Sequence, residues 1–154
     1  MQSSENNFSQ VLYYEVPYSV LQNSSSSSGW DSYYCIQGTV VINYNLITDT
    51  GEKQMLLTSA SGSWTTPNDN RVSVSAASLF CNCSGTALDS PFVSQTKTFD
   101  ILNSNGTLCY TNFTKYIAAV EGLTGAVGAK LTITLLMGTS RTWTLNLESF
   151  AFEP

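Results

Sequence analysis

The chain reads as an all-β protein: an antiparallel β-sandwich, jelly-roll or immunoglobulin-like, with at most one short helix. Three observations carry that reading. Leu131, Ile133 and Leu135 alternate with Thr132 and Thr134, the chain turns at Gly-Thr-Ser, and Trp143, Leu145 and Leu147 then alternate with Thr144 and Asn146. A period of two that reverses about a turn is a hairpin with one apolar and one hydroxyl-rich face. Second, the other apolar runs are short and bounded by Gly, Asn, Asp, Ser and Pro clusters. Third, helical spacing occurs at one place only, too little for crossovers between parallel strands. A barrel is the runner-up.

The elements follow in order. Residues 1–10, "MQSSENNFSQ", form a flexible polar arm, and 11–154 a single sandwich domain. "VLYYEV", 11–16, is a short strand ended by Pro17. "NSSSSSGW", 23–30, is expected to be an exposed loop, since a serine run buries nothing. Residues 33–48 are the clearest strand, turned back at Asp49–Gly51 into "QMLLTS". Residues 61–70 are a loop holding Trp64, and 71–80 a strand with Val72, Val74 and Ala76 on one face. Residues 83–91 read as turns and 92–102 as strand, followed by a reverse turn at Asn103–Gly106. The helical candidate is 112–121: Asn112 as cap, Phe113, Tyr116, Ile117 and Val120 on one stripe, Gly122 and Gly125 as stops.

At 154 residues the chain is long enough for one domain with its own core. Only 11% of it is charged, less than half the usual share, and Ser, Thr and Asn fill the polar positions. The net charge is −5 and the six Lys and Arg residues stand singly. Nucleic acid and anionic membrane surfaces need clustered cations, so neither is an expected partner. No apolar run approaches the length of a membrane span. The amino end lacks the basic and apolar sequence of a signal peptide. A mature chain behind a new Met, a product released by lysis and a cytosolic protein all fit that.

Four cysteines stand at 35, 81, 83 and 109. Zinc sites use pairs two to four residues apart, helped by His, and redox pairs use Cys-x-x-Cys; Cys81-Asn82-Cys83 is neither, and His is absent. No metal or cofactor is expected. In a strand Cys81 and Cys83 share a face. Each can then meet a partner on a neighbouring strand, so disulfides using Cys35 and Cys109 are expected, with the pairing open and reduced core thiols as the alternative. Asn-x-Ser/Thr triplets begin at Asn7, Asn23, Asn82, Asn105 and Asn112. Their number is close to chance in so Ser/Thr-rich a chain.

Catalysis finds little support. Without His, every Ser-His, Cys-His and His-metal arrangement is excluded. Asp49-Thr50-Gly51 matches the turn of aspartic proteases, but one copy would have to dimerise, and a hairpin turn explains it without catalysis. Asp31, Asp69 and Asp100 fall in or near loops as solvated acids, not as a dense calcium loop.

Binding is better supported. Sugar sites stack rings on aromatic faces and hold hydroxyls with Asn or Asp, which singles out "GWDSYY", 29–34, and makes Trp30, Asp31 and Trp64 the candidate ligand-binding residues. Trp143 belongs to the core or an interface. Uncharged hydroxyl faces are buried in interfaces at low desolvation cost. The leading expectation is therefore a non-enzymatic structural or attachment subunit of a virus particle or other extracellular assembly. It would be a homo-oligomer or a subunit among others, acting through protein–protein contacts. A carbohydrate-binding module is the alternative, with a glycan as partner.

Overall fold

A computed structural model describes residues 19–49, 52–87, 90–119 and 125–152. The arm at 1–10 and the strand expected at 11–16 lie outside them. Ten strands are formed: β1 (Ser19–Trp30), β2 (Gln37–Asp49), β3 (Glu52–Trp64), β4 (Val72–Ala87), β5 (Ser90–Val93), β6 (Thr96–Asp100), β7 (Cys109–Tyr110), β8 (Ile117–Ala118), β9 (Gly125–Met137) and β10 (Arg141–Phe152). They make two antiparallel sheets, a β-sandwich. One runs β1-β2-β3-β7, with β8 also on β3; the other runs β10-β9-β4-β5, with β6 also on β4.

The β9–β10 hairpin is as the alternation predicts. Leu131, Ile133, Leu135 and Leu145 face inward and are buried, Trp143 and Leu147 half-buried, while Thr144 opposes Thr134 on the outer face. The opposite layer supplies Val40, Ile42, Leu57 and Ala60, and Ile101 and Ile117 close the core between them. At one end the sheets approach closely. A β-carbon at Gly29 would lie 2.9 Å from Leu147 Cδ2, and one at Gly38 would lie 3.0 Å from Leu145 Cδ2 and 3.1 Å from Leu147 Cδ1. Small residues there let the apolar ends of β10 reach the β1–β2 backbone.

Several sequence expectations are corrected. The serine run is strand, not loop: Asn23–Trp30 pairs residue for residue with Gln37–Tyr44. Serine has little β-propensity, but the long β2 ladder takes its backbone groups, and Ser25 Oγ meets Ser149 Oγ at 3.1 Å across the sandwich edge. The strand read at 33–48 begins only at Gln37. β3 runs on through Trp64 into the expected loop, and β4 through Ala87 into the expected turns. Within β4 the register shifts between Val74 and Ala76. That bulge turns Ala76 outward and puts Ala77, Leu79, Cys81 and Cys83 in the core.

The helix expected at 112–121 is not formed over its described residues. Asn112 has φ 59°, left-handed backbone rather than a cap, and Ile117–Ala118 join β3 as a strand. The side chain of Gln95 explains the outcome. Its Oε1 accepts from Thr114 N (3.1 Å) and Lys115 N (3.0 Å), and its Nε2 donates to Lys115 O and Cys83 O, both at 2.9 Å. The backbone groups a helix would have paired internally are met by a side chain from the β5–β6 connection.

Other local readings hold. Asp49 opposes Glu52 across the β2–β3 turn, as a hairpin reading of Asp-Thr-Gly requires. Gly106 at φ 82° completes the turn at 103–106. No described helix is long and apolar enough to cross a membrane.

Candidate functional site

The β1–β2 connection, residues 31–36, gathers the features that point to contact with another molecule. It begins with a carboxylate that never reaches solvent: Asp31 is 1% exposed. Its Oδ1 accepts from Cys35 N at 2.6 Å and Ile36 N at 2.8 Å. Its Oδ2 accepts from Tyr33 N at 3.1 Å and from the indole Nε1 of Trp143 at 2.9 Å. An Asp bonding the backbone two residues on is the usual way such a turn is set. Burial pushes this carboxyl up, but the hydrogen bonds from Ile36, Trp143, Tyr33 and Cys35 together outweigh it and hold the group below its ordinary value.

The loop is fastened from a second side. Asn68 donates its side-chain Nδ2 to Tyr34 O at 2.8 Å and its backbone N to Cys35 O at 3.0 Å. Between these two anchors Tyr34 sits at φ 57°, left-handed backbone that a bulky residue rarely adopts. Such strain persists only where the surroundings over-determine it, and it gathers at ligand clamps and switches.

The product is a crown of rings. Trp30 is 47% exposed, Tyr33 59% and Tyr34 69%. Trp30 and Tyr34 are in tilted contact, 6.4 Å apart between centroids and at 51°, with their other faces turned to solvent. Tyr33 packs edge-on against Trp143 at 5.0 Å and 79°. Trp143 is itself held by Asp31, so one buried carboxylate sets both the turn that carries Tyr33 and Tyr34 and the indole on which Tyr33 packs.

The three residues singled out by sequence therefore separate. Trp30 faces outward, because its neighbour Gly29 points at Leu147. Trp64 pairs with the inward-facing Gly38 and packs half-buried on the core, its backbone N and O held by the Asn105 amide. The two indoles lie on opposite faces of one sheet and share no platform. Asp31 supports the crown from beneath, with both oxygens occupied. Sequence reading reached Tyr33 and Tyr34 only as members of the stretch 29–34, and did not single out Asn68 or Trp143 for the site. Asp69 lies nearby, held to about 2 by the side-chain and backbone hydrogen bonds of Arg71, with Oδ2 at 2.7 Å from Nη2.

The expected disulfides are not formed; all four cysteines are free thiols. Cys81 and Cys83 do share the inward face of β4, but Cys35 lies at the crown. Nine residues of strand, roughly 30 Å, separate Cys81 from the crown end of β4. Burial, with Cys109 nearby, pushes the Cys81 thiol up to about 12, and burial pushes Cys83 to about 11. These behave as small core residues.

A second feature is the free side of β1. It ends its sheet among the described residues, and its twelve residues include no charge and no proline. β10, which ends the other sheet, carries Arg141 and Glu148 and a bulge between Phe150 and Phe152. Charges and bulges are how edges are guarded against pairing. Among the described residues, the β10 edge is guarded and the β1 edge is not.

No protein-family model, curated protein or solved structure matches the chain.

Proposed function

We propose that the protein is a non-catalytic structural or attachment subunit of a virus particle or other extracellular assembly, acting through protein–protein contacts. The observation that carries this reading is the edge of β1, which has no charge, no proline and no further strand on it among the described residues. Among the described residues no strand pairs with the outer side of its twelve uncharged residues, which leaves that side to a partner strand, with no like charges in β1 to repel a second copy. The outer face of the β4–β9–β10 sheet, rich in Ser78, Thr132, Thr134 and Thr144, adds a surface that desolvates at low cost.

Native mass spectrometry of the full chain tests it, with the Ser24→Lys/Ser26→Lys variant beside it. Both serines are exposed on the outer face of β1. A discrete oligomer that the lysines dissociate supports the reading; a monomer for both proteins overturns it. A second reading, carbohydrate binding, is favoured by one observation: exposed rings in the crown with no charge among them.

A further inference from the structure

We propose that the exposed ring faces of Trp30, Tyr33 and Tyr34 are a stacking site for one or two neutral pyranose rings, with Asp31 as the residue that sets the turn beneath them rather than a ligand contact. This rests on the carbohydrate-binding reading and adds the site and the class of sugar.

Size argues first. At about 200 Å² per aromatic side chain, the exposed parts of Trp30, Tyr33 and Tyr34 offer roughly 350 Å². A specific protein interface needs about 800 Å² from each partner. The crown alone is too small for that, and of the right size for a sugar unit or two. An exposed apolar patch of this extent is commonly functional.

Charge argues second. The surface residues of the crown are Trp30, Ser32, Tyr33 and Tyr34, all uncharged. Asp31 is buried with four N–H partners, and the Arg71 guanidinium is bound to Asp69 through Nε at 3.0 Å and Nη2 at 2.7 Å. Nucleic acids also stack on aromatic rings, but they require a track of cations that is not here. What the crown offers is apolar ring faces rimmed by hydroxyls. A pyranose presents the same pair of features, an apolar C–H face and a hydroxyl edge.

Preorganisation argues third. The rings are held by the Asp31 and Asn68 hydrogen bonds and by strained backbone at Tyr34, so little freedom is lost when a ligand docks. Glycine at position 34 would adopt φ 57° without strain. Tyrosine at this φ is a side chain held against its backbone preference.

That strain supplies the test. Tyr34→Gly removes the ring and relieves the backbone, so the variant folds at least as well as the parent. Tyr34→Phe keeps the ring. Cellohexaose, maltohexaose and chitohexaose are titrated into the full-length protein, reading Trp fluorescence and saturation-transfer NMR. The expected result is binding by one of them, weakened about tenfold or more in Tyr34→Gly and in Trp30→Ala, as for an interface anchor, and kept within about threefold in Tyr34→Phe, as for a ring whose hydroxyl is secondary. Binding that is equal in parent and Tyr34→Gly overturns the site while leaving carbohydrate binding standing. No binding to any of the three overturns both. Capture of a polyproline peptide at the crown without sugar binding also overturns the proposal.

Discussion

Replacing Asp31 with asparagine exchanges one oxygen for a nitrogen and leaves the shape intact, so it isolates the chemistry beneath the crown. Each carboxylate oxygen now accepts two N–H groups. An amide has one acceptor oxygen. Whichever way it is turned, two N–H donors are left facing its NH2 group. The stable orientation keeps the shorter bonds to Cys35 and Ile36 and leaves Tyr33 N and Trp143 Nε1 without an acceptor. Hydrogen bonds to a charged acceptor contribute about 1.5–3 kcal/mol each, and part of the loss is recovered by water at the half-exposed Tyr33 end. The expected destabilisation is about 3 kcal/mol, which for a chain of this length lowers Tm by roughly 6–12 °C. Thermal unfolding by circular dichroism gives the value. The Trp143 indole N–H resonance should move upfield as its hydrogen bond is lost. Asp100→Asn is the control: that side chain is exposed and its Oδ1 accepts only from Leu102 N among the described residues, which an amide can still do. A Tm for Asp31→Asn within about 2 °C of the parent, well inside the range of surface substitutions, would refute the claim that this carboxylate organises the end of the sandwich.

Four further outcomes follow from the same geometry. Asp31 has a lowered pKa in the folded chain, so its contribution is present above the unfolded value and is lost as pH falls through the folded one; the acid-side fall in urea midpoint should be shallower in Asp31→Asn than in the parent. Arg71→Gln removes the largest influence on Asp69, and its carboxyl should titrate by NMR clearly above the parent's value of about 2. A β-carbon at Gly62 would lie 2.6 Å from Leu131 Cδ1 and 2.9 Å from Ile101 Cδ1; Gly62→Ala should cost about 1–3 kcal/mol in denaturant melts, as overpacked cores do. Thiol titration should find four reactive groups in denaturant, with Cys81 and Cys83 silent in the native protein because burial holds both protonated; a mass gain on reduction would show that disulfides form after all.

Sequence alone determined the layer type and the most regular hairpin. Alternation in 131–147 is a property of neighbouring residues, and any sheet that buries Leu131, Ile133 and Leu135 must expose Thr132 and Thr134. It also located the stretch 29–34, because a tryptophan and two tyrosines around a turn-forming Asp are visible without a partner strand. Everything that depended on distant residues was decided by the tertiary structure. The serine run became strand because β2 offered a ladder, a choice that serine's own preference opposes. The amphipathic stripe at 113–117 became loop and strand because Gln95 and the edge of β3 met its backbone groups. The single-residue bulge near Ser75 inverted the face expected for Ala76, as any one-residue slip in a strand must. Trp30 and Trp64 were separated by parity across β2, while Tyr34 and Trp143 were brought in through Trp30 and Asp31. Local pattern fixes which way a side chain points relative to its neighbours; only pairing between strands fixes what it points at.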